Sequence, residues 1–146
     1  GRPAVPVFTP ADQKFEIGKG ILMNEGSDVT IVATGHLVWE SLVAAAELEK
    51  EGISCEVINI HTIKPLDEEI ILNSVKKTGK IVTAEEHNIL GGLGESVARV
   101  LAQKLPTKQA FVAVNDKFGE SGTPSDLMKK YGIDSTAVIE KVKSLL

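Results

Sequence analysis

The 146-residue sequence has little of three features that define large classes of protein. Its single cysteine, Cys55, excludes a disulfide within the chain and fits a reducing cytoplasm. No stretch approaches the run of about 18 apolar residues that a membrane-spanning helix needs. Basic residues are outnumbered, with 16 Lys and Arg against 20 Asp and Glu, and the formal net charge of -4 argues against partners with a phosphate backbone or an anionic lipid surface. We therefore expect a cytoplasmic protein with no nucleic-acid or membrane partner.

The apolar residues that are present form short runs separated by helical patterns. The composition, 42% hydrophobic and 25% charged, is typical of one globular domain. Runs rich in β-branched residues predict strands buried on both faces: VTIVAT (29–34), CEVINI (55–60), KIVTAE (80–85) and AFVAV (110–114). Strands that alternate with helices predict right-handed crossovers and a mostly parallel sheet with helices on both faces.

Capping residues predict where the helices begin and end. The predicted helices begin at or near Leu37, Asp67, the glycine-rich segment, Thr123 and Asp134, and they end near Gly52, Gly79, Pro106, Gly132 and Leu146. A further strand is predicted near Lys19 to Asn24. Taken alone, its position before a short turn predicts a hairpin with VTIVAT.

The segment EEHNILGGLGES (85–96) partly matches a dinucleotide-binding fingerprint. Gly92 and Gly94 stand between a strand and a helix, and Asp116 follows about twenty residues later, where a ribose-binding acid would lie. The match raises the hypothesis of a nucleotide-binding regulatory module. The competing interpretation is a tight turn into a helix.

Three details favour the turn. Five residues separate the predicted strand from the first glycine, whereas the fingerprint has almost none. Val97 fills a position that should be small, and Glu95 lies in the first helical turn, where its charge would compete with a pyrophosphate for the same amides.

The three histidines follow three different predicted strands. His36, His61 and His87 all come near the carboxyl ends of these strands, where α/β proteins usually bind ligands. His87 beside Glu85 and Glu86 is either an acid/base pair or a ring that holds an irregular loop, and we favour the loop. No Cys or His stands at metal-ligand spacing, so we predict no metal site.

Several segments, taken in order, resemble one enzyme family. ATG after the first buried strand, NIHTIKPLD, TAEEHNILGGLGESVA and KFGESGTPSDLMKKYGID look like the C-terminal domain of transketolase, especially the type in which the enzyme is split between two chains. The opening GRPAVPVF is similar to the segment that leads from the pyrimidine-binding domain into the C-terminal domain. The resemblance covers essentially the whole chain. It implies a fragment in which residues 1–14 are a linker and 15–146 form the C-terminal domain.

The resemblance also implies a fold. The family has a three-layer α/β/α architecture with a mixed five-stranded sheet in the order 1-3-2-4-5, four strands parallel and one antiparallel. This order contradicts the hairpin, because the first strand would pair with CEVINI. It places the switch point between VTIVAT and KIVTAE, so His36 and the loop that contains His87, Gly92 and Gly94 would flank one crevice, a candidate site.

The resemblance implies a function that this chain does not perform alone. Transketolases move a two-carbon glycolaldehyde unit from a ketose phosphate to an aldose phosphate, as in the pentose phosphate pathway. Thiamine diphosphate and a divalent metal, Mg or Ca, lie between the thiamine-binding and pyrimidine-binding domains of a homodimer. The implied role here is support, with no catalytic residue, cofactor or metal in this chain, and the isolated chain is expected to be inactive.

One residue is implied to touch substrate. The arginine of the Arg-Pro pair that enters the domain binds the sugar phosphate in this family, and the matching residue is Arg2. Deoxyxylulose-phosphate synthase and the β subunit of 2-oxoacid dehydrogenases share the fold and remain alternatives. GRPAVPVF and HTIKPLD favour transketolase over both.

Overall fold

The structure, a computed structural model, describes residues 6–146, so Arg2 lies outside the described residues. The strands are β1 (Ile21–Asn24), β2 (Val29–Ala33), β3 (Cys55–Asn59), β4 (Ile81–Asn88) and β5 (Gln109–Val114). The helices are α1 (Leu37–Lys50), α2 (Glu68–Thr78), α3 (Leu93–Lys104), α4 (Pro124–Tyr131) and α5 (Ser135–Lys143). The five strands form one sheet in the order β1-β3-β2-β4-β5.

The sheet is mixed, as the family resemblance implied. β1 runs antiparallel to β3, and the pairs β2–β3, β2–β4 and β4–β5 are parallel. The hairpin prediction for the first strand was wrong, because β1 pairs with β3 and not with β2. The reason is burial. Every residue of β2 is buried, and parallel neighbours pair with both of its edges. In β1, half-buried and exposed residues alternate, which suits a strand at the edge of the sheet.

Helices cover both faces of the sheet. α1 and α5 pack on one face, where Leu37, Leu48, Val138 and Val142 join the β2 and β3 side chains in one core cluster. α2 and α3 cover the other face, with Ile71, Val75, Leu93, Val97 and Leu101 in a second cluster. The three-layer prediction is confirmed. In the part of the chain described, no helix is long and apolar enough to cross a membrane.

The predicted caps form where the sequence placed them. Asp67, Thr123 and Asp134 each accept a hydrogen bond from the backbone N–H three residues later, at the starts of α2, α4 and α5. Gly79 and Gly132 end α2 and α4 in the left-handed conformation, with φ of 69° and 63°. The last helix ends at Lys143, shorter than predicted.

The segment before β1 follows the carboxyl edge of the sheet. Phe8 stacks on Trp39 in the first turn of α1, with 5.8 Å between ring centroids. Phe15 meets the His61 ring edge-on, 5.2 Å away, just after β3. Part of the predicted linker is therefore packed on the domain, and the boundary at residue 14 stays a prediction.

The turn between β1 and β2 requires glycine at position 26. A Cβ atom there would lie 2.1 Å from the carbonyl carbon of Cys55 and 2.3 Å from the backbone nitrogen of Glu56. Because backbone cannot yield as a flexible side chain can, we predict that Gly26→Ala lowers the free energy of unfolding by at least about 2 kcal/mol in urea titrations. Gly119→Ala is the control, since nothing lies within 4 Å of its Cβ, and it should change stability by less than about 0.5 kcal/mol. Equal effects of the two variants would contradict this explanation.

Candidate functional site

A small crevice lies at the switch point of the sheet, beyond the carboxyl ends of β2 and β4. Its volume is about 250 Å³, and it is lined by Thr34, Gly35, Ile63, Glu85, Glu86, His87, Gly91 and Gly92. The fold thus brings the end of β2 and the glycine-rich loop to one cavity. Of the predicted residues, His87 and Gly92 line it, whereas His36 and Gly94 do not.

A carboxylate of the chain itself occupies the amides of this loop. Glu85 lies in β4 and is only 1% exposed. One of its oxygens accepts from the Leu93 N–H at 2.7 Å, and the other accepts from the Gly94 N–H at 2.8 Å. These amides belong to the first turn of α3, where N–H groups have no partner within the helix and the helix dipole favours a negative charge. The Glu85 side chain thereby caps α3.

The two glycines of the predicted site allow close packing around the start of α3. A Cβ on Gly92 would lie 2.1 Å from a Glu85 carboxylate oxygen. A Cβ on Gly94 would lie 2.5 Å from the Phe111 ring and 3.0 Å from the Thr83 hydroxyl, so Gly94 lets α3 approach the sheet closely. Packing therefore explains why both positions are glycine, and no ligand is needed for this explanation.

A second acidic side chain accepts a hydrogen bond from the glycine-rich loop. Glu95 accepts a hydrogen bond from the Gly91 N–H at 2.8 Å, as expected of an acid that competes for the loop amides. Gly91, Leu93 and Gly94 therefore all donate to acids of this chain. A pyrophosphate at these amides would meet two carboxylates of the same sign, so the loop does not fit a dinucleotide.

Strand β4 is longer than the sequence predicts. The strand was predicted to end near Glu85, which left five residues before the first glycine. In the structure β4 runs to Asn88 after an irregularity in its pairing with β5 between Ala84 and Asn88, so only Ile89 and Leu90 intervene. The spacing is close to that of the fingerprint, and the Glu85 cap is the stronger argument against a dinucleotide.

The hydrogen bond of the His87 ring is to the backbone. Its Nδ1 lies 2.9 Å from the Asn88 carbonyl oxygen, to which it donates. Its side chain is 61% exposed, and Nδ1 is 4.0 Å from the nearer Glu85 oxygen, beyond hydrogen-bond distance. Because both Glu85 oxygens already accept from amides, this arrangement favours the loop-holding interpretation.

The other two histidines lie elsewhere. His36 faces a neighbouring, more apolar cavity of about 290 Å³, whose walls include Glu86, Val114 and Met128. His61 pairs with the Thr62 hydroxyl at 2.9 Å. The three rings are not gathered at one site, and residues 6–146 contain no group of three or more His, Cys, Asp or Glu that could hold a metal ion.

The thiol of the single cysteine is a weak nucleophile. Cys55 is buried at the start of β3, and burial, together with the negative charge of Asp28, raises the pKa of its thiol to about 11. A thiol with this pKa is almost fully protonated at neutral pH, so Cys55 is no candidate nucleophile.

Sequence reasoning missed the role of Glu85. The available signal was an acid in the otherwise apolar run KIVTAE, which the sequence analysis assigned to a fully buried strand. An acid at such a position needs hydrogen-bond donors nearby, and here they are backbone amides eight and nine residues later.

Comparisons with known proteins give consistent matches. Residues 18–138 match the family model described as "Transketolase, C-terminal domain". The chain is 46% identical over 138 residues to a 6-deoxy-6-sulfo-D-fructose transketolase subunit, SqwH, of Clostridium sp. (strain MSTE9), covering 94% of this chain and 42% of that protein. It is 45% identical over 129 residues to a putative transketolase C-terminal section of Methanocaldococcus jannaschii, covering 88% and 40%.

A solved structure agrees with these relatives. A chain described as "Split gene transketolase, inactive beta4 tetramer" superimposes with a TM-score of 0.96 at 45% identity, covering 99% of this chain and 48% of that one. The chain spans less than half the length of each of these three proteins.

The Glu85 cap predicts a contrast between two adjacent acids. Glu85→Gln keeps the shape of the side chain but turns an NH₂ group toward one of the two amide donors. We expect it to lower the free energy of unfolding by about 3 kcal/mol, measured by urea titration at pH 7. Glu86→Gln, at an exposed neighbouring position, should change it by less than about 0.5 kcal/mol. An effect of Glu85→Gln as small as that of its neighbour would refute the cap.

Proposed function

Because the chain belongs to the transketolase C-terminal domain family, we propose that it serves as the C-terminal domain of a transketolase. The complete enzyme transfers a two-carbon glycolaldehyde unit from a ketose phosphate to an aldose phosphate. The observation that carries this proposal is the agreement between the family match and the split-chain fold over nearly the whole chain. The single cysteine fits a cytoplasmic location for the enzyme.

Thiamine diphosphate with Mg or Ca is the cofactor that this proposal requires, and the described residues do not fit it. The helix N-terminus best placed to bind a diphosphate is filled by Glu85, and residues 6–146 offer no set of three metal-ligating side chains. We propose that the thiamine-binding and pyrimidine-binding domains of the same homodimeric enzyme hold the cofactor and the metal. The isolated chain should then have no transferase activity.

The proposed contribution of this chain to substrate binding is Arg2. Phe8, six residues later, is anchored on Trp39 at the carboxyl edge of the sheet. Six residues of extended chain span at most about 20 Å, so the proposal needs the substrate phosphate within that reach of the Phe8 anchor. A guanidinium group binds phosphate through two parallel hydrogen bonds and cannot lose its charge, which suits a sugar phosphate.

The competing hypothesis, a nucleotide-binding regulatory module, has less support. It depends on free amides at the glycine-rich loop, and the amides of Gly91, Leu93 and Gly94 are already bonded to Glu95 and Glu85. No geometry in the described residues favours the deoxyxylulose-phosphate synthase or 2-oxoacid dehydrogenase alternatives over transketolase.

The proposal predicts a selective defect from one substitution in the complete enzyme. Arg2→Ala should raise the KM for a phosphorylated ketose donor about 10- to 100-fold, because one or two charge-assisted hydrogen bonds are lost. The KM for an unphosphorylated ketose should stay within about twofold. A coupled assay with both donors measures the difference.

Arg99→Ala is the matched control for Arg2→Ala, because Arg99 is the only other arginine and lies on the exposed face of α3 near Glu68. It should leave both KM values unchanged. Equal losses with phosphorylated and unphosphorylated donors would contradict the role of Arg2. Absence of two-carbon transfer by the unmodified complete enzyme, whichever ketose phosphate is supplied, would contradict the proposed function itself.

A further inference from the structure

The apolar face of helix α4 lines a cavity at the carboxyl ends of β4 and β5. Pro124, Leu127, Met128 and Tyr131 follow one another at helical spacing, so they lie on one side of α4, and all four line this cavity. Its volume of about 290 Å³ is close to the lower limit for small-molecule sites. No α4 side chain is fully buried, so the domain covers the apolar face of this helix only in part.

The other apolar residues of the cavity come from β5 and from the turn after α4. Val114 is the last residue of β5, and Ile133 is buried just after α4. The Tyr131 hydroxyl donates to the Phe118 carbonyl oxygen at 2.8 Å, so its polar group is already bonded within the chain. Met128 has a flexible thioether side chain that adapts to the shape of its neighbours. These walls are suited to the apolar part of a small ligand.

Two polar side chains, those of His36 and Glu86, also line this cavity. Glu86 lines the switch-point crevice as well, so this residue lies where the two cavities meet. It is exposed, and it has no hydrogen-bond or ion-pair partner among residues 6–146. His36 holds the N-cap position of α1, but its side chain makes no capping hydrogen bond. Both side chains are therefore available to a ligand.

The charges around the cavity favour a cation. Among the described residues, the walls of the two cavities include Glu85 and Glu86 but no Lys or Arg. The charge of Glu85 is offset by its two amide donors, whereas that of Glu86 is not. The helices that begin beside the cavity carry an acid in the first turn, Glu40 in α1 and Asp126 in α4, and these acids oppose the binding of an anion at either helix N-terminus.

We propose that this cavity binds a small amine, with the ammonium group beside Glu86 and the apolar arm between α4 and β5. An ammonium group has three donors, and the Glu86 carboxylate and an unprotonated His36 ring nitrogen are acceptors for it. The arm covers the exposed parts of Leu127 and Met128, which removes apolar surface from water. The inference concerns binding by this chain and does not rest on the proposed transferase activity.

An NMR titration of the 146-residue chain with phenethylamine, in an amine-free buffer at about pH 7, tests the proposal. We expect saturable shifts of the His36, Leu127 and Met128 amides with a Kd of about 1 mM, a value typical of so small a ligand. Phenethyl alcohol has the same arm without the charge and should bind at least about fivefold more weakly, and the anion hydrocinnamate more weakly still. Absence of saturable shifts up to about 10 mM amine, or an alcohol that binds as tightly as the amine, would overturn the inference.

Glu86→Gln tests the carboxylate. Because Glu86 is exposed, the fold should be retained, and the affinity for phenethylamine should fall at least about fivefold, to that of the alcohol. The affinity for the alcohol should change by less than about twofold. Glu69→Gln, the same substitution at an exposed position of α2, is the control and should alter neither affinity. A preference for the amine that survives Glu86→Gln would overturn the proposed position of the ammonium group.

Leu127→Trp tests the apolar arm, and the result with Glu86→Gln does not depend on it. The larger side chain should fill the cavity from the α4 side and weaken the binding of both amine and alcohol at least about tenfold, with the circular dichroism spectrum of the unmodified chain retained. A folded variant that binds both ligands with unchanged affinity would show that the arm lies elsewhere and would overturn the assignment of this cavity.

Discussion

The contact between the Glu85 carboxylate and the first turn of α3 organises the switch point of this domain. It joins the interior strand β4 to the helix that follows it, and it satisfies two backbone donors with one buried acid. A buried carboxylate is costly unless its oxygens are fully bonded, so the loop must bring those amides to it. Gly92 provides space for the carboxylate, and Gly94 lets α3 settle against Phe111.

This contact leaves few amides at the switch point available to an external anion. The carboxyl ends of parallel strands at a switch point are where α/β domains most often bind ligands, and here a side chain of the protein takes the position that an anion would occupy. Elsewhere at the carboxyl edge of the sheet, Phe8 packs on Trp39 and Phe15 packs on His61.

The sequence predicted most accurately the features that depend on interactions between residues close together in the chain. The caps Asp67, Thr123 and Asp134 were predicted because each bonds to an amide three residues away. The partner of β1 was mispredicted from pattern alone, since strand pairing depends on distant segments, and the correct order came from the family resemblance. The role of Glu85 was missed for the same reason: its donors are supplied by the path of the loop, which the residue types do not reveal.

Amide hydrogen exchange at Leu93 and Gly94, followed by NMR, tests the Glu85 cap most directly. If the carboxylate holds these amides, their protection should lie within about tenfold of that of the β4 core amides of Val82 and Ala84. It should also stay unchanged when AMP, NAD or pyrophosphate is added at about 10 mM. Exchange as fast as in an unprotected loop, or protection that rises with one of these ligands, would contradict the account and restore the loop as an anion site.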